Sequence, residues 1–483
     1  MSEATAPRSP RDTRASVAVD LGAESCRVSL LRWREGEPEI QLVHRFTNGP
    51  VQREDGLHWP LDRIVDGVEE GLRMCADLAS EGVRSVAVDG WAVDYVRLDE
   101  TGTPVAEPFC YRDERNVRAE TELHKHISAE RMREITGIQQ LSINTLYQLY
   151  ADRLAGYAPS RWLNLPEYIL SRLGAEPVAE FTNATHTQLI DLHSRTWSEE
   201  IFREAGLEMA LAPRIVSPGI RLGKLRGPLQ QLTAFNDTEL IAPACHDTAS
   251  AIAGIPALGD DWAYISSGTW SLVGTLTPRP VDSPDVRADN FTNLGAVGGA
   301  NCFHKNVNGM WLLKQCESAW AEQGFAPGVA ELIRACEELS HRPATLLDVD
   351  DPDLLRMGEM PKRINRQLVA KGAKPLEESP ASAPALVSLI LHSLASRYAE
   401  VLARVKQHTG KDLRRIFIVG GGSQNKLLNR LTAESTGMEV LCGSTESSTL
   451  GNFAVQLAAL ETSSSPTSSE FAAEAYYWAN KLS

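Results

Sequence analysis

The sequence predicts an α/β protein made of two diverged copies of one unit. Three observations lead there. Strand and helix signals alternate along most of the chain, which argues for layered α/β architecture. A strand, a small polar loop and a second strand over residues 17–33 recur in the same layout over 263–276. At 483 residues the chain is long enough for two large units, each with a full core. The letters barely repeat, so the kinship is architectural.

Residues 1–15 are polar and rich in Arg, Ser and Pro, and read as a disordered tail. Order is expected from Val17. The segment VAVD at 17–20 is a buried strand, LGAESC at 21–26 a small loop, and 27–33 a second strand. Apolar positions Ile64, Val65, Val68, Leu72 and Cys75 predict a helix over 61–79. A strand follows at 85–89 and continues at 93–98, and DETG at 99–102 turns the chain. A first domain is assigned to 16–243 and a second to 244–483. The second opens after a strand at 239–244 with a small-residue helix at 249–254, then the repeated hairpin. RIFIV at 415–419 is a buried strand running into GGGSQN at 420–425, and Leu427, Leu428, Leu431 and Thr432 mark the next helix. SSSPTSS at 463–469 is a loop before a last helix at 471–482.

Composition excludes several classes. With 43% hydrophobic, 23% charged and 6% aromatic residues, the chain is neither collagen-like, disordered nor a coiled coil. Its net charge of −15 repels phosphate backbones, so no nucleic-acid partner is expected. An anionic ligand must then be met by backbone amides, a few Arg or Lys, or a divalent metal. Eight cysteines, none in a C-x-x-C pair, read as buried free thiols. The N-terminus lacks a secretory apolar region, and no run approaches ~18 uncharged apolar residues, so a cytoplasmic chain with no membrane span is expected. There is no P-loop, nucleophile elbow or H-E-x-x-H, and the spacing of Gly420–Gly422 is wrong for a dinucleotide fingerprint.

Five segments carry chemistry. Asp20-x-Gly22-x-x-Ser25-x-Arg27 follows a strand; its amides, hydroxyl and guanidinium suit a phosphate, and Asp20 suits magnesium, but a plain hairpin has the same letters. DGWAVDY at 89–95 offers carboxylates and Trp91 to a polyol, or is a turn around a buried Trp. His246-Asp247-Thr248 leaves a strand for a small-residue helix, so Asp247 fits a general base or a helix cap. SSGTW at 266–270 is a second phosphate-type loop. GGGSQN at 420–425 lets backbone approach a ring or phosphate closely.

In this order the segments resemble the FGGY carbohydrate kinases, which share the sugar kinase, Hsp70 and actin fold. The resemblance runs from about residue 17 to 460 through AVDLGAESCR, VDGWAVDY with PFCYRDER, EFTNATHTQL, HDTASA, YISSGTWSLVG, and IVGGGSQNKLLNRLTAESTG with ESSTLGN. It implies two ribonuclease-H-like domains with a cleft between them, ATP and Mg2+ mostly against the second and a ketose against the first. It makes Asp247 the catalytic base, flanked at the sugar by His246 and Thr248, with Ala92 and Asn306 also at the sugar. Ala23, Glu24, Ser25, Cys26 and Arg27 match the loop facing the terminal phosphates, Thr269 the second phosphate loop, Lys314 a position near the nucleotide, and Gly421 the adenosine turn. The expected activity is phosphoryl transfer from ATP to a ketose hydroxyl by a monomer or homodimer; a catalytically idle sugar sensor is the alternative of another class. This chain departs from the family pattern at Glu24, Cys26, Ala92 and Lys314, where a Ser, a Gly, a Gly and a Gln are usual.

Overall fold

The computed structural model describes residues 9–339 and 342–483. They pack as two compact units. The first ends at Ala257 and also takes in Leu276–Cys302 and Ser447–Ser483; the second holds Leu258–Thr275 and Phe303–Glu446. Of the tail expected over 1–15, residues 1–8 lie outside the described residues. Beyond them Arg14 already pairs with Asp12 at 2.7 Å, and the first strand starts at Ala15, two residues before the expected point.

The first unit is built on a mixed sheet. Its strands are β1 (Ala15–Leu21), β2 (Ser25–Arg34), β3 (Glu37–Thr47), β4 (Val83–Gly90), β5 (Arg221–Lys224) and β6 (Glu239–Ile241), in the order β5-β6-β4-β1-β2-β3. β1 pairs antiparallel with β2 and parallel with β4, and β6 runs parallel to β4. Side chains alternate between the faces. Val17, Val19 and Leu21 join Val28, Leu30, Val86 and Val88 in a core with Ile64, Val68, Leu72 and Cys75 of helix α1 (Leu61–Leu78). The opposite face presents Ala18, Leu31, Ala87 and Ile241. Small residues there admit three helices: α3 (Asp247–Ala253), α6 (Ser447–Glu461) and α7 (Ser469–Leu482), which bring Phe453, Leu457, Phe471 and Trp478. The last helices of the chain therefore cover a face of its first sheet. α2 (Phe181–His186) is a short helix of the same unit.

The second unit repeats the plan. β7 (Trp262–Ser267), β8 (Trp270–Thr277), β9 (Asn301–Asn308), β10 (Arg415–Val419) and β11 (Glu439–Cys442) run in the order β11-β10-β7-β8-β9. β7 is antiparallel to β8 and parallel to β10, as β1 is to β2 and β4. The five-strand order matches β6-β4-β1-β2-β3, so the duplication read from the letters holds in topology. Helices α4 (Ala383–Thr409) and α5 (Lys426–Thr436) belong to this unit. α4 is long and apolar enough to cross a membrane, with 67% of its most apolar stretch buried inside the protein. Seven cysteines are buried and Cys442 is exposed, all of them free thiols.

Glu167 and Glu180 of the first unit are buried, 1% and 0% exposed. Glu167 accepts from Glu180 N–H at 3.1 Å and Asn183 Nδ2 at 2.9 Å, and burial pushes it from 4.5 up to about 7. Its folded value lies above its unfolded value, so its contribution to stability is full below about 4.5 and is lost as pH rises through about 7. At ~1.4 kcal/mol per unit the loss is roughly 3 kcal/mol. Asn183 Oδ1 is buried without a partner, so a flipped Asn183 would accept from an amide at 167. We expect Glu167→Gln to gain thermal stability over the parent as pH rises from 5.5 to 8.5. Melting curves at both values check it; a Tm difference that does not change with pH would contradict the assignment.

Candidate functional site

Three carboxylates meet where the strands of the first sheet end. Asp20 is the last residue but one of β1 and the register partner of Asp89 on β4 and of Arg27 on β2. By parity both aspartates share the face of Ala18 and Ala87, under α6. Asp20 is 3% exposed and its Oδ2 accepts from Arg27 Nη1 at 2.9 Å and from Ser448 Oγ at 2.7 Å. Asp89 is 0% exposed; Oδ1 accepts from Asn452 Nδ2 at 2.8 Å and Oδ2 has no partner. Burial, and then the charge of Asp20, hold its carboxyl well above the usual carboxylate range. Gln456 continues the row, accepting from Ser85 Oγ at 2.6 Å and donating to Val17 O at 3.1 Å. Residues 448, 452 and 456 recur every four positions, so one polar stripe of α6 runs along the two strands from Asp20 and Asp89 back to Val17 and Ser85.

Asp247 begins α3, and His246, in extended conformation, holds the cap position. The cap reading of Asp247 is thus displaced by one residue. Asp247 Oδ1 accepts from Thr248 N–H at 2.5 Å and Thr248 Oγ1 at 3.2 Å, and lies 3.3 Å from His246 Nε2. Its side chain keeps 35% of its surface open. Burial of the carboxyl, and then the charge of Asp20, raise it to about 7. α3 is pinned against α6 by close approach: a Cβ on Gly451 would sit 1.7 Å from Ser250 O, and one on Gly254 2.5 Å from Ser447 O.

The first loop divides its residues. Glu24 is exposed at the tip, Ala23 and Ser25 are half-buried, and Arg27 turns back to Asp20. The Cys26 thiol points into the core, where burial pushes it up to about 12. Cys26 therefore offers a ligand only its backbone. In the next segment Trp91 and Trp59 pack at 4.5 Å between ring centres, and both indoles donate to Asp94 Oδ2, at 3.0 and 2.5 Å. Gln148 Nε2 donates to Asp94 Oδ1 at 2.9 Å, and burial raises that carboxyl to about 6. Ala92 is buried beside Val93, a β-branched residue at φ 72°, which is strained backbone. Thr145 Oγ1 pins it by donating to Val93 O at 2.7 Å.

The second unit gathers Thr269, Lys314 and Gly421 around the β7–β8 turn. Trp311 N–H donates to Thr269 O at 3.2 Å and Met310 N–H to Gly268 O at 3.0 Å; Lys314, exposed, follows one helical turn on. Gly420 and Gly422 lie against Ser267, while nothing stands within 4 Å of where a Gly421 side chain would begin. Asn306 is half-buried on β9.

This arrangement provides a half-open carboxylate poised near neutrality, a guanidinium and paired acidic strand ends: groups suited to taking a proton, neutralising an anion and holding a cation. The sequence pointed to Asp89 only as a sugar-facing carboxylate, and gave no individual role to Ser448, Asn452, Glu180, Thr182 or His186. The only local signal for the helix residues was their spacing of four.

Comparison with known proteins matches both halves of the chain. The N-terminal domain model of the FGGY family of carbohydrate kinases matches residues 15–254 and the C-terminal domain model residues 263–460. A protein named rhamnulokinase from Enterococcus faecalis is 36% identical over 463 residues, covering 93% of this chain and 90% of that one. Another of that name from Bacteroides thetaiotaomicron is 33% identical over 443 residues, covering 91% and 89%. Among solved structures, a xylulose kinase from Lactobacillus acidophilus superposes with a TM-score of 0.75 at 15% identity, covering 94% and 91% of the two chains.

The glycine turn gives a direct check. Gly422→Ala overpacks Ser267 and should cost ~1–3 kcal/mol, or about 3–8 °C in Tm. Gly421→Ala should leave Tm within about 1 °C. Equal losses would place Gly421 against protein instead of open space.

Proposed function

The chain belongs to the FGGY family of carbohydrate kinases, and we propose that it transfers the γ-phosphoryl group of ATP to the 1-hydroxyl of L-rhamnulose, giving L-rhamnulose 1-phosphate and ADP. The observation that carries the reading is Asp247: a carboxylate at the start of α3, one-third open, near neutral pKa, beside Asp20 and Arg27. The names of the curated relatives, together with the HDTASA and SSGTWSL segments, support L-rhamnulose as the acceptor.

In this reading Asp247 takes the proton of the attacking hydroxyl as the phosphoryl group arrives. Arg27 and the amides of residues 23–27 neutralise charge on the terminal phosphates. In the second unit the Thr269 turn serves a phosphate, Gly421 the adenosine and Lys314 the nucleotide. His246, Thr248, Trp91, Ala92 and Asn306 orient the sugar. The acidic strand ends fit Mg2+: Asp20 Oδ2 takes both donors, leaving Oδ1, and Asp89 Oδ2 is buried without a donor. No cluster of three or more ligating side chains occurs among the described residues, which suits an ion that takes one or two carboxylates, waters and phosphate oxygens. Bound there, Mg2+ supplies charge neutralisation. A cytoplasmic location and a small-molecule partnership without nucleic acid or membrane go with this reading.

Two measurements test it. Asp247→Asn should lower kcat at least ~10²-fold while Tm and ATP affinity stay near the parent. A kcat within about threefold of the parent would remove Asp247 from the chemistry. Across a ketose panel L-rhamnulose should give the highest kcat/KM; preference for xylulose or L-fuculose would reassign the substrate, and no ADP release from any ketose would favour an idle sensor.

The pH profile follows from the same carboxyl. A base must be ionised, so with a value of about 7 the rate should rise about tenfold between pH 6 and pH 8. A profile flat across that range would place the titrating base elsewhere.

A further inference from the structure

Helix α2 and the residue that caps it touch the Asp247 loop at three points. Glu180 Oε2 accepts from Cys245 N–H at 2.8 Å. Thr182 Oγ1 accepts from His246 N–H at 3.2 Å and donates to Glu180 Oε2 at 2.5 Å. His186 Nε2 lies 3.0 Å from His246 Nδ1, the two rings being 3.9 Å apart between centres. His246 Nε2 in turn lies 3.3 Å from Asp247 Oδ1. The row His186–His246–Asp247 thus ends on the carboxylate.

Proton counting gives the row a direction. A carboxylate only accepts, and a neutral imidazole carries one N–H. If His246 placed its proton on Nδ1, toward His186, its Nε2 lone pair would face the lone pairs of Asp247 Oδ1. With the proton on Nε2, His246 donates to Asp247, and its Nδ1 accepts from His186 Nε2–H. With His246 neutral and Asp247 ionised, this set satisfies the contacts of the row, and burial keeps His186 neutral by holding its pKa well below the usual histidine range. Asp247 Oδ1 accepts from Thr248 N–H and Thr248 Oγ1, with His246 Nε2 3.3 Å away. Oδ2 is the oxygen left to receive a proton.

We propose that His186 is a positioning residue, whose Nε2–H locks His246 in the Nε2–H tautomer so that His246 fixes Asp247 Oδ1 and leaves Oδ2 to the acceptor hydroxyl. The proposal rests on the reading of Asp247 as the base. It also explains why the EFTNATHTQL segment lies against this loop. The residue before the helix and the helix's second residue hold the loop's backbone, and its last residue sets a proton on the loop's side chain.

The test uses the full-length enzyme labelled with 15N in its histidines, with His246 assigned by comparison with His246→Gln. Two-bond 15N–1H correlations read the tautomer of each ring. His246 should appear as the Nε2–H form in the parent; an Nδ1–H form would overturn the proposal, and this needs no variant at 186 to fold. In His186→Leu the Nε2–H signature should weaken, kcat should fall about tenfold or more, and KM for ATP should stay within about twofold, the split expected for a residue that orients a base. His186→Gln, whose amide still donates, should recover kcat to within about threefold of the parent. Equal loss in the Leu and Gln variants, with the His246 tautomer unchanged, would show a role in packing alone and would sink the idea. Failure of the base assignment would look different: Asp247→Asn would keep its kcat.

Discussion

Holding three carboxylates together beside the ends of the two central strands of one sheet is the constraint on which the rest of the site depends. Asp20, Asp89 and Asp247 each raise the cost of ionising a neighbour, because like charges in a partly dry setting disfavour the charged form. Leaving any of them unanswered would be expensive. The surrounding elements supply the answers. Arg27 comes from the hairpin, Ser448 and Asn452 from α6, and the Thr248 amide from the start of α3. What remains unanswered is specific: one oxygen on each aspartate, all toward the end of the strands.

The duplicated fold explains why the charge lies on one side only. Asp20 on β1 pairs in register with Asp89 on β4, and the corresponding place on β7 pairs Ser266 with Val419 on β10. One copy keeps acids at the strand ends; the other keeps neutral small residues and the glycines of the β10 turn. A shared architecture therefore carries two chemistries, and the division follows from four residues at equivalent register positions. The close crossing of α3 and α6 at Gly254 and Gly451 ties the acidic copy together, since the first turns of both helices carry groups that reach Asp20 or lie beside it.

Much of this was legible in the letters, for local reasons. Both hairpins, α1 and the β10 strand are announced by period-two or period-3.6 patterns and by the small residues that follow them. The inward thiol of Cys26 was also readable, since it shares parity with Val28 and Leu30 on β2. The helix cap at His246 was missed by one residue because caps and first turns look alike in sequence. The coverage of the first sheet by α6 and α7 had no local signal at all: the Ser448–Asp20 bond spans 428 residues. The pairing of Asn452 with Asp89 had no local signal for the same reason, since 363 residues separate them.

That long span has a consequence in time. A ribosome adds about 5–20 residues per second, so Ser448 leaves the peptidyl-transferase centre roughly 20–90 s after Asp20. Once made, Ala18, Leu31, Ala87 and Ile241 wait for Phe453, Leu457, Phe471 and Trp478. The first sheet starts at Ala15, and one of its faces is fully covered only when residues 447–482 have been made. A nascent chain halted before α6 has only α3 to cover that apolar face, leaving the kind of surface that holding chaperones bind. Asp20 thus receives its hydroxyl from a residue made 428 positions after it.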